Sequence, residues 1–186
     1  NTNLCCGTIN RGLAMYKGNL FMGALDGRLI SIDAAKGTIN WEVQTTPKDK
    51  HYSITGAPRI MDGKVIIGNG GSEFDTRGFI TAYDPADGKQ VWRFFTVPGD
   101  PSLPFEHPDL EDAAKTWTGE WWKQGGGGTS WDAITYDPEQ KVVFIGTGNG
   151  AHWNRQIRSP EGGDNLYLSS IVAVNVGDGS YKWHYQ

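Results

Sequence analysis

Ala82-Tyr83-Asp84-Pro85-Ala86-Asp87-Gly88-Lys89-Gln90-Val91-Trp92 reads as the end of one strand, a tight turn, and the strand that follows it. Asp84 can cap its own turn through its carboxylate, and Gly88 supplies the positive φ that the turn needs. Trp92 then falls at a fixed place on the second strand. The same offsets occur in Ser31-Ile32-Asp33-Ala34-Ala35-Lys36-Gly37-Thr38-Ile39-Asn40-Trp41. They return in Ala173-Val174-Asn175-Val176-Gly177-Asp178-Gly179-Ser180-Tyr181-Lys182-Trp183, with Asn for the first Asp. A repeat that brings one large flat side chain back to one position per unit suits packing between stacked sheets.

Two further strands precede each hairpin. Arg11–Tyr16 and Asn19–Gly23 come before the first, across the turn Lys17-Gly18. Ala57–Met61 and Lys64–Gly68 come before the second, across Asp62-Gly63. Trp131–Tyr136 and Lys141–Gly146 come before the third, across Asp137-Pro138-Glu139-Gln140. Four strands per unit, repeated in series, is the pattern of β-propeller blades. The expected fold class is therefore all-β, with about three four-stranded blades. Three blades do not close a ring. The chain also begins at Asn1 and ends at Gln186 inside a strand pattern, so an internal segment of a longer protein is expected, with residues 1–186 as one partial domain.

Composition agrees. There are 26 glycines and 8 tryptophans, and no long amphipathic period, which suits short strands and tight turns. A net charge of −4 without basic clusters leaves no footprint for nucleic acid. No apolar run approaches the roughly 20 residues of a membrane span.

Loops at one end of a propeller carry its sites. After the second strand of each blade the connection lengthens, from Ala24–Gly27 to Asn69–Gly78 to Thr147–Leu168. Glu73 follows Gly70-Gly71-Ser72, and Asn149 follows Gly146-Thr147-Gly148, so both should emerge at the same end. A carboxylate and an amide oxygen are hard donors of the kind calcium prefers; a solvated Glu and a turn-forming Asn are the plainer readings. Arg11 could hydrogen-bond a carboxylate or quinone oxygen, or form an ordinary ion pair. Thr55, Thr129 and Trp131 open the equivalent strands of the next two blades. Val97–Gly128, rich in Pro, acidic residues and Trp, reads as a long surface excursion with a helical turn around Leu110–Lys115.

Cys5 and Cys6 are the chain's two cysteines, and they are neighbours. A bond between neighbours closes almost no loop, and disulfide stabilisation grows with loop length. Its use would be geometric, as a rigid polarisable plate. The other reading is two reduced thiols acting as small hydrophobes.

Taken together, Cys5-Cys6 with Arg11, Thr55-Gly56-Ala57-Pro58, Gly70-Gly71-Ser72-Glu73, Gly125-Gly126-Gly127-Gly128-Thr129-Ser130-Trp131-Asp132 and Gly146-Thr147-Gly148-Asn149-Gly150 resemble the pyrroloquinoline quinone (PQQ) dependent alcohol dehydrogenases. The Trp repeats resemble the tryptophan-docking motif of that family's eight-bladed propeller. Val97-Pro98-Gly99-Asp100-Pro101, Gly119-Glu120-Trp121-Trp122 and Arg158-Ser159-Pro160 through Leu168 look most like the quinohemoprotein ethanol dehydrogenase branch.

The resemblance implies a role for each residue. Cys5 and Cys6 would form a vicinal disulfide on one face of PQQ, with Trp131 on the other. Arg11, Thr55, Gly71, Ser72 and Thr129 would hydrogen-bond the cofactor, Ser72 standing where the family often has Ala. Glu73 and Asn149 would bind the metal, usually calcium, with a lanthanide as the alternative. The parent enzyme would oxidise primary alcohols to aldehydes in the periplasm and pass electrons to a cytochrome or another acceptor. The family's catalytic Asp lies just beyond the strand carrying Trp183, so no catalytic base is assigned within this chain. No Cys-x-x-Cys-His is present, so a c-type haem of the parent would lie downstream. The alternative is a non-catalytic propeller scaffold with the same Trp repeat, which would lack the paired cysteines and the Glu73/Asn149 pair.

Overall fold

The three repeat turns close by the same bonds. In the computed structural model, which describes residues 4–186, the Asp33 carboxylate accepts from the amides of Ala35 and Lys36 at 2.9 Å each. Its carbonyl accepts from the Gly37 N–H at 2.8 Å. Asp84 and Asn175 repeat the pattern, their side chains accepting from Ala86 at 2.8 Å and Gly177 at 2.7 Å. Gly37, Gly88 and Gly179 sit at φ of 71°, 74° and 75°, where only glycine is unstrained.

Each turn joins the last two strands of an antiparallel sheet in which every strand pairs with the next in sequence. The first sheet holds β1 (Leu13–Tyr16), β2 (Asn19–Gly23), β3 (Arg28–Asp33) and β4 (Ile39–Gln44). The second holds β5 (Arg59–Met61), β6 (Lys64–Gly68), β7 (Phe79–Tyr83) and β8 (Gln90–Phe95). The third holds β9 (Ile134–Asp137), β10 (Val142–Gly146), β11 (Ile171–Asn175) and β12 (Tyr181–Tyr185). These are three propeller blades. In each, the register slips at the same place, beside the pairs Ser31↔Trp41, Ala82↔Trp92 and Ala173↔Trp183. The slip leaves one extra residue just before each tryptophan, and such bulges re-aim the side chain that follows.

The aim is across the blade boundary. Trp41 donates its Nε1–H to the Pro85 carbonyl at 3.1 Å, and Trp92 donates to Val176 at 3.0 Å. Both acceptors lie in the repeat turn of the next blade. A Cβ on Gly88 would sit 2.7 Å from the Trp41 ring, and one on Gly179 would sit 2.7 Å from Trp92. Glycine is required there twice, for φ and for room. Trp183, the third of the series, is 45% exposed.

Cores form between the sheets. Along β6, Val65 and Ile67 join Phe21, Leu29 and Tyr83 toward the first blade, while Ile66 joins Ile80, Phe94, Val143 and Val172 toward the third. That alternation is the period of two expected of a strand buried on both faces. All five residues of β7 are buried.

Three sequence expectations are adjusted. The first strands start at Leu13, Arg59 and Ile134, two or three residues later than the pattern suggested. Pro58 has no N–H to offer a ladder, and the Arg11 N–H is spent on the Thr55 carbonyl at 3.1 Å, between blades and not within one. The 97–128 excursion carries a core of its own. Helix α1 (Asp109–Ala114) buries Leu110 and Ala113 against the second and third blades, and Trp117 and Trp121 bury with Val97 and Leu168. A second short helix, α2 (Arg155–Arg158), was not foreseen. Four residues show no apolar period, although Asn154 caps it by accepting from the Gln156 N–H at 2.9 Å.

Replacing Trp92 tests the docking. Trp92→Phe, which leaves the Val176 carbonyl without its donor, should cost about 1 kcal/mol. Trp92→Ala should cost about 3–5 kcal/mol, both read from urea unfolding. Two equal and small losses would show that the indole is not docked.

Candidate functional site

Four consecutive glycines, Gly125 to Gly128, all have positive φ between 69° and 81°. They run between the loop after β6 and the loop after β10 and bond to both. The Gly127 N–H donates to Thr76 at 3.0 Å, and its carbonyl accepts from Gly78 at 2.7 Å. On the other side the Gly128 N–H donates to the Asn149 carbonyl at 2.9 Å, and the Gly126 carbonyl accepts from Ala151 at 3.1 Å. A Cβ on Gly127 would lie 2.6 Å from both the Ala151 nitrogen and the Asn149 oxygen. The backbone of three segments therefore meets where no side chain fits.

Two arginines brace these loops from outside. Arg77 donates from Nε to the Val97 carbonyl at 2.7 Å and from both terminal nitrogens to Glu106 at 2.6 and 2.9 Å. Burial pushes the Glu106 carboxyl up, and the hydrogen bonds and charge of Arg77 more than reverse this, leaving its pKa lowered. Arg158 donates from Nε to Asn165 at 3.1 Å and from Nη1 to the carbonyls of His152 and Trp153. Its guanidinium lies against Gly150, next to Asn149. Burial, and after it the charge of Arg155, pushes its pKa down. Neither arginine was a site candidate from sequence: Arg77 stands in no quoted motif, and Arg158 counted only as part of the branch-like stretch Arg158–Leu168.

At this end of the blades a cleft of about 270 Å³ is lined by Cys5, Cys6, Arg11, Thr55, Gly71, Glu73, Trp131 and Asn149, among others. Eight of the ten sequence candidates thus share one cavity. Cys5 and Cys6 are disulfide-bonded, their Cα atoms 3.8 Å apart, the spacing across a trans peptide. Trp131 is 47% exposed, unlike the docked Trp41 and Trp92. The Arg11 guanidinium lies 4.8 Å from the centre of the Trp131 ring, within cation–π range, and its Nη1 donates to the Thr55 carbonyl at 3.2 Å. The ion pair that sequence reading allowed for Arg11 is not among those of the described residues.

Glu73 is exposed and likewise takes part in none of those ion pairs. Asn149 commits its amide nitrogen to the Gly150 carbonyl at 3.3 Å, which leaves its oxygen for a ligand. Nearby, burial pushes the Asp75 carboxyl up, but hydrogen bonds from the His51 ring at 2.9 Å and from backbone amides hold its pKa below the usual range.

The remaining two candidates, Ser72 and Thr129, are placed differently. They are 3% and 1% exposed, and their hydroxyls bond to each other at 2.8 Å.

The chemistry of the cleft is that of a slot for a flat, oxygen-bearing molecule. A disulfide and an exposed indole give apolar surface, and a guanidinium gives fixed donors. Glu73 and Asn149 offer two hard oxygen donors. Among the described residues no three His, Cys, Asp or Glu side chains cluster as metal ligands. A cation held here would take its other oxygens from a bound molecule or water, as calcium's six to eight ligands allow.

Residues 7–186 match the PQQ family model of the glucose/ethanol/alcohol dehydrogenase β-propeller domain. Quinohemoprotein alcohol dehydrogenase ADH IIB of Pseudomonas putida is 59% identical over 183 residues, 98% of this chain and 26% of that protein. The solved structure of the quinohemoprotein alcohol dehydrogenase ADHIIG from Pseudomonas putida HK5 superposes with a TM-score of 0.96 at 56% identity, covering 98% of this chain and 27% of that one. A europium-containing methanol dehydrogenase superposes with a TM-score of 0.87 at 37% identity, covering 98% of this chain and 33% of that one. The chain spans about a quarter of the length of the curated relatives it matches.

Gly127→Ala should strain the backbone and drive the two loops apart, destabilising the protein by about 2 kcal/mol or more. Hydrogen exchange should rise at the amides of Gly78, Gly128 and Ala151 while β6 and β7 stay protected. Unchanged exchange at those amides would show that the glycine run does not hold the loops.

Proposed function

The chain belongs to the PQQ-dependent glucose/ethanol/alcohol dehydrogenase β-propeller family, and from that premise we propose that it is part of an enzyme that oxidises primary alcohols to aldehydes with PQQ as cofactor and calcium as metal. Residues 1–186 supply part of the PQQ-binding propeller domain. One observation carries the reading: the Cys5–Cys6 disulfide, Trp131, Arg11, Glu73 and Asn149 line a single cleft.

The donor set fits the group. The disulfide and the Trp131 ring offer flat apolar surface to a planar ring system. Arg11 and the Thr55 hydroxyl offer donors to its oxygens, and the positive φ of 116° at Gly71 suits close backbone approach. Glu73 and Asn149 would hold the calcium by two of its oxygens. The europium-containing neighbour makes a lanthanide the competing choice.

PQQ, when bound, supplies a quinone carbonyl as the two-electron acceptor for the hydride leaving the alcohol carbon. Arg11 would stabilise negative charge on an oxygen placed beside it. Trp131 and the disulfide keep water from the faces they cover. The alcohol's O–H proton must go to a carboxylate base outside these residues, as in the family, and no side chain of this chain is given that role.

The quinohemoprotein relatives favour a cytochrome or an attached haem as the next electron acceptor. The disulfide favours an oxidising compartment, the periplasm. Among the described residues no helix is long and apolar enough to cross a membrane.

The test is alcohol-dependent dye reduction by the full-length protein, with PQQ and calcium added together and each omitted in turn. Activity should need both, and Glu73→Ala should lower it by about 100-fold or more. Full activity in Glu73→Ala would remove the metal assignment. A well-folded protein that binds no PQQ would return the reading to a scaffold. Thiol counting on the native protein should find Cys5 and Cys6 oxidised.

A further inference from the structure

Ser72 lies between Gly71 and the metal-ligand candidate Glu73, on the second blade. Ser72 is not among the residues that line the cleft. Its side chain is buried, with the hydroxyl 2.8 Å from the Thr129 hydroxyl and accepting from the Thr129 N–H at 3.2 Å. Thr129 is itself buried, two residues before Trp131. Its carbonyl accepts from the Gly148 N–H at 3.0 Å, and Gly148 precedes Asn149. The neighbouring Gly128 N–H bonds the Asn149 carbonyl at 2.9 Å. One serine hydroxyl therefore begins a short chain of bonds that runs from the Glu73 segment, through the Trp131 segment, to the Asn149 segment.

We propose that Ser72 is a positioning residue, a latch between blades that fixes the spacing of Glu73, Trp131 and Asn149 and so sets the affinity of the site for its metal and cofactor. The effect on affinity rests on the PQQ reading above; the mechanical coupling does not. The physical basis is the scarcity of alternatives. With alanine at 72 the Thr129 N–H loses its acceptor and the Thr129 hydroxyl loses its partner, both where water has no access. A buried group left without a partner costs more than the bond itself returns. The lead-in to β9 relieves that cost by shifting toward solvent, and the two ligand loops move with it. The role is indirect: the Ser72 hydroxyl acts through Thr129, separately from any bond the Ser72 backbone makes to the cofactor.

The experiment compares Ser72→Ala, Thr129→Val and the double variant in the full-length protein. Thr129→Val keeps the side-chain shape and the N–H bond to Ser72, so it removes one of the two bonds and is the milder change if Ser72→Ala folds poorly. The first readout is hydrogen exchange in the cofactor-free protein. Ser72→Ala should speed exchange about tenfold in 70–76, 127–131 and 147–151 together, with β6 and β10 unchanged. The second is PQQ affinity at fixed calcium, read from tryptophan fluorescence quenching. Ser72→Ala should weaken binding about tenfold and Thr129→Val about threefold, while the double variant stays near tenfold because both changes remove the same link. Faster exchange confined to 70–76, or a double variant weakened by the product of the two single effects, would overturn the latch. Absence of PQQ binding in the unsubstituted protein would instead overturn the cofactor reading, and the exchange pattern would still decide the latch.

Discussion

An indole N–H that reaches a turn carbonyl on the next sheet governs how these blades stack. Trp41 makes that bond to Pro85 and Trp92 makes it to Val176, each ring lying over a glycine that could not carry a side chain. The bond is worth little alone, but it comes with the burial of a large aromatic face, so it selects one offset between sheets. The bulge ahead of each tryptophan aims it, and the Asp or Asn turn presents the carbonyl. Once the offset is set, Val65 and Ile67 face one neighbour and Ile66 the other, and the core follows.

The same offset makes the site. Lead-ins to the first strands converge, so that Arg11 bonds the Thr55 backbone and a Cβ on Gly56 would strike the Trp131 carbonyl. Loops from different blades then meet at one end, and the glycine run stitches them through backbone bonds alone. Candidate ligand groups sit on loops, yet those loops are tied at the Gly125–Gly128 run, at Arg77 and at Arg158. Such bracing is what a site needs to hold a metal and a planar molecule in fixed relation. Trp131 differs from the repeat tryptophans for this reason: it sits on a lead-in, not on a fourth strand, and its ring is partly exposed beside Arg11.

What could be read from sequence was local. The turn chemistry of Asp33, Asp84 and Asn175, the required glycines and the spacing to tryptophan involve residues within one hairpin. They gave the blades and their number in this chain. Glu73 and Asn149 could be placed at one end because both follow a second strand. What could not be read spans blades. The Ser72–Thr129 bond joins residues 57 apart, and nothing near either residue signals it. The packing of Arg11 on Trp131 depends on two lead-ins meeting. The excursion looked like surface because it is rich in Pro and acidic residues, while the side chains it buries, among them Leu110, Trp117 and Trp121, find their partners only once the chain is folded.

The central claim is that Glu73, Asn149, Trp131 and the Cys5–Cys6 disulfide surround one metal-bound planar cofactor. The most direct measurement is a crystal structure of the full-length protein loaded with PQQ and a lanthanide, with the metal located by its anomalous scattering. The account predicts one strong peak bonded to Glu73 and Asn149 oxygens, with the cofactor ring between the Trp131 indole and the disulfide. A peak on other ligands, or a cofactor bound away from the disulfide, would contradict it.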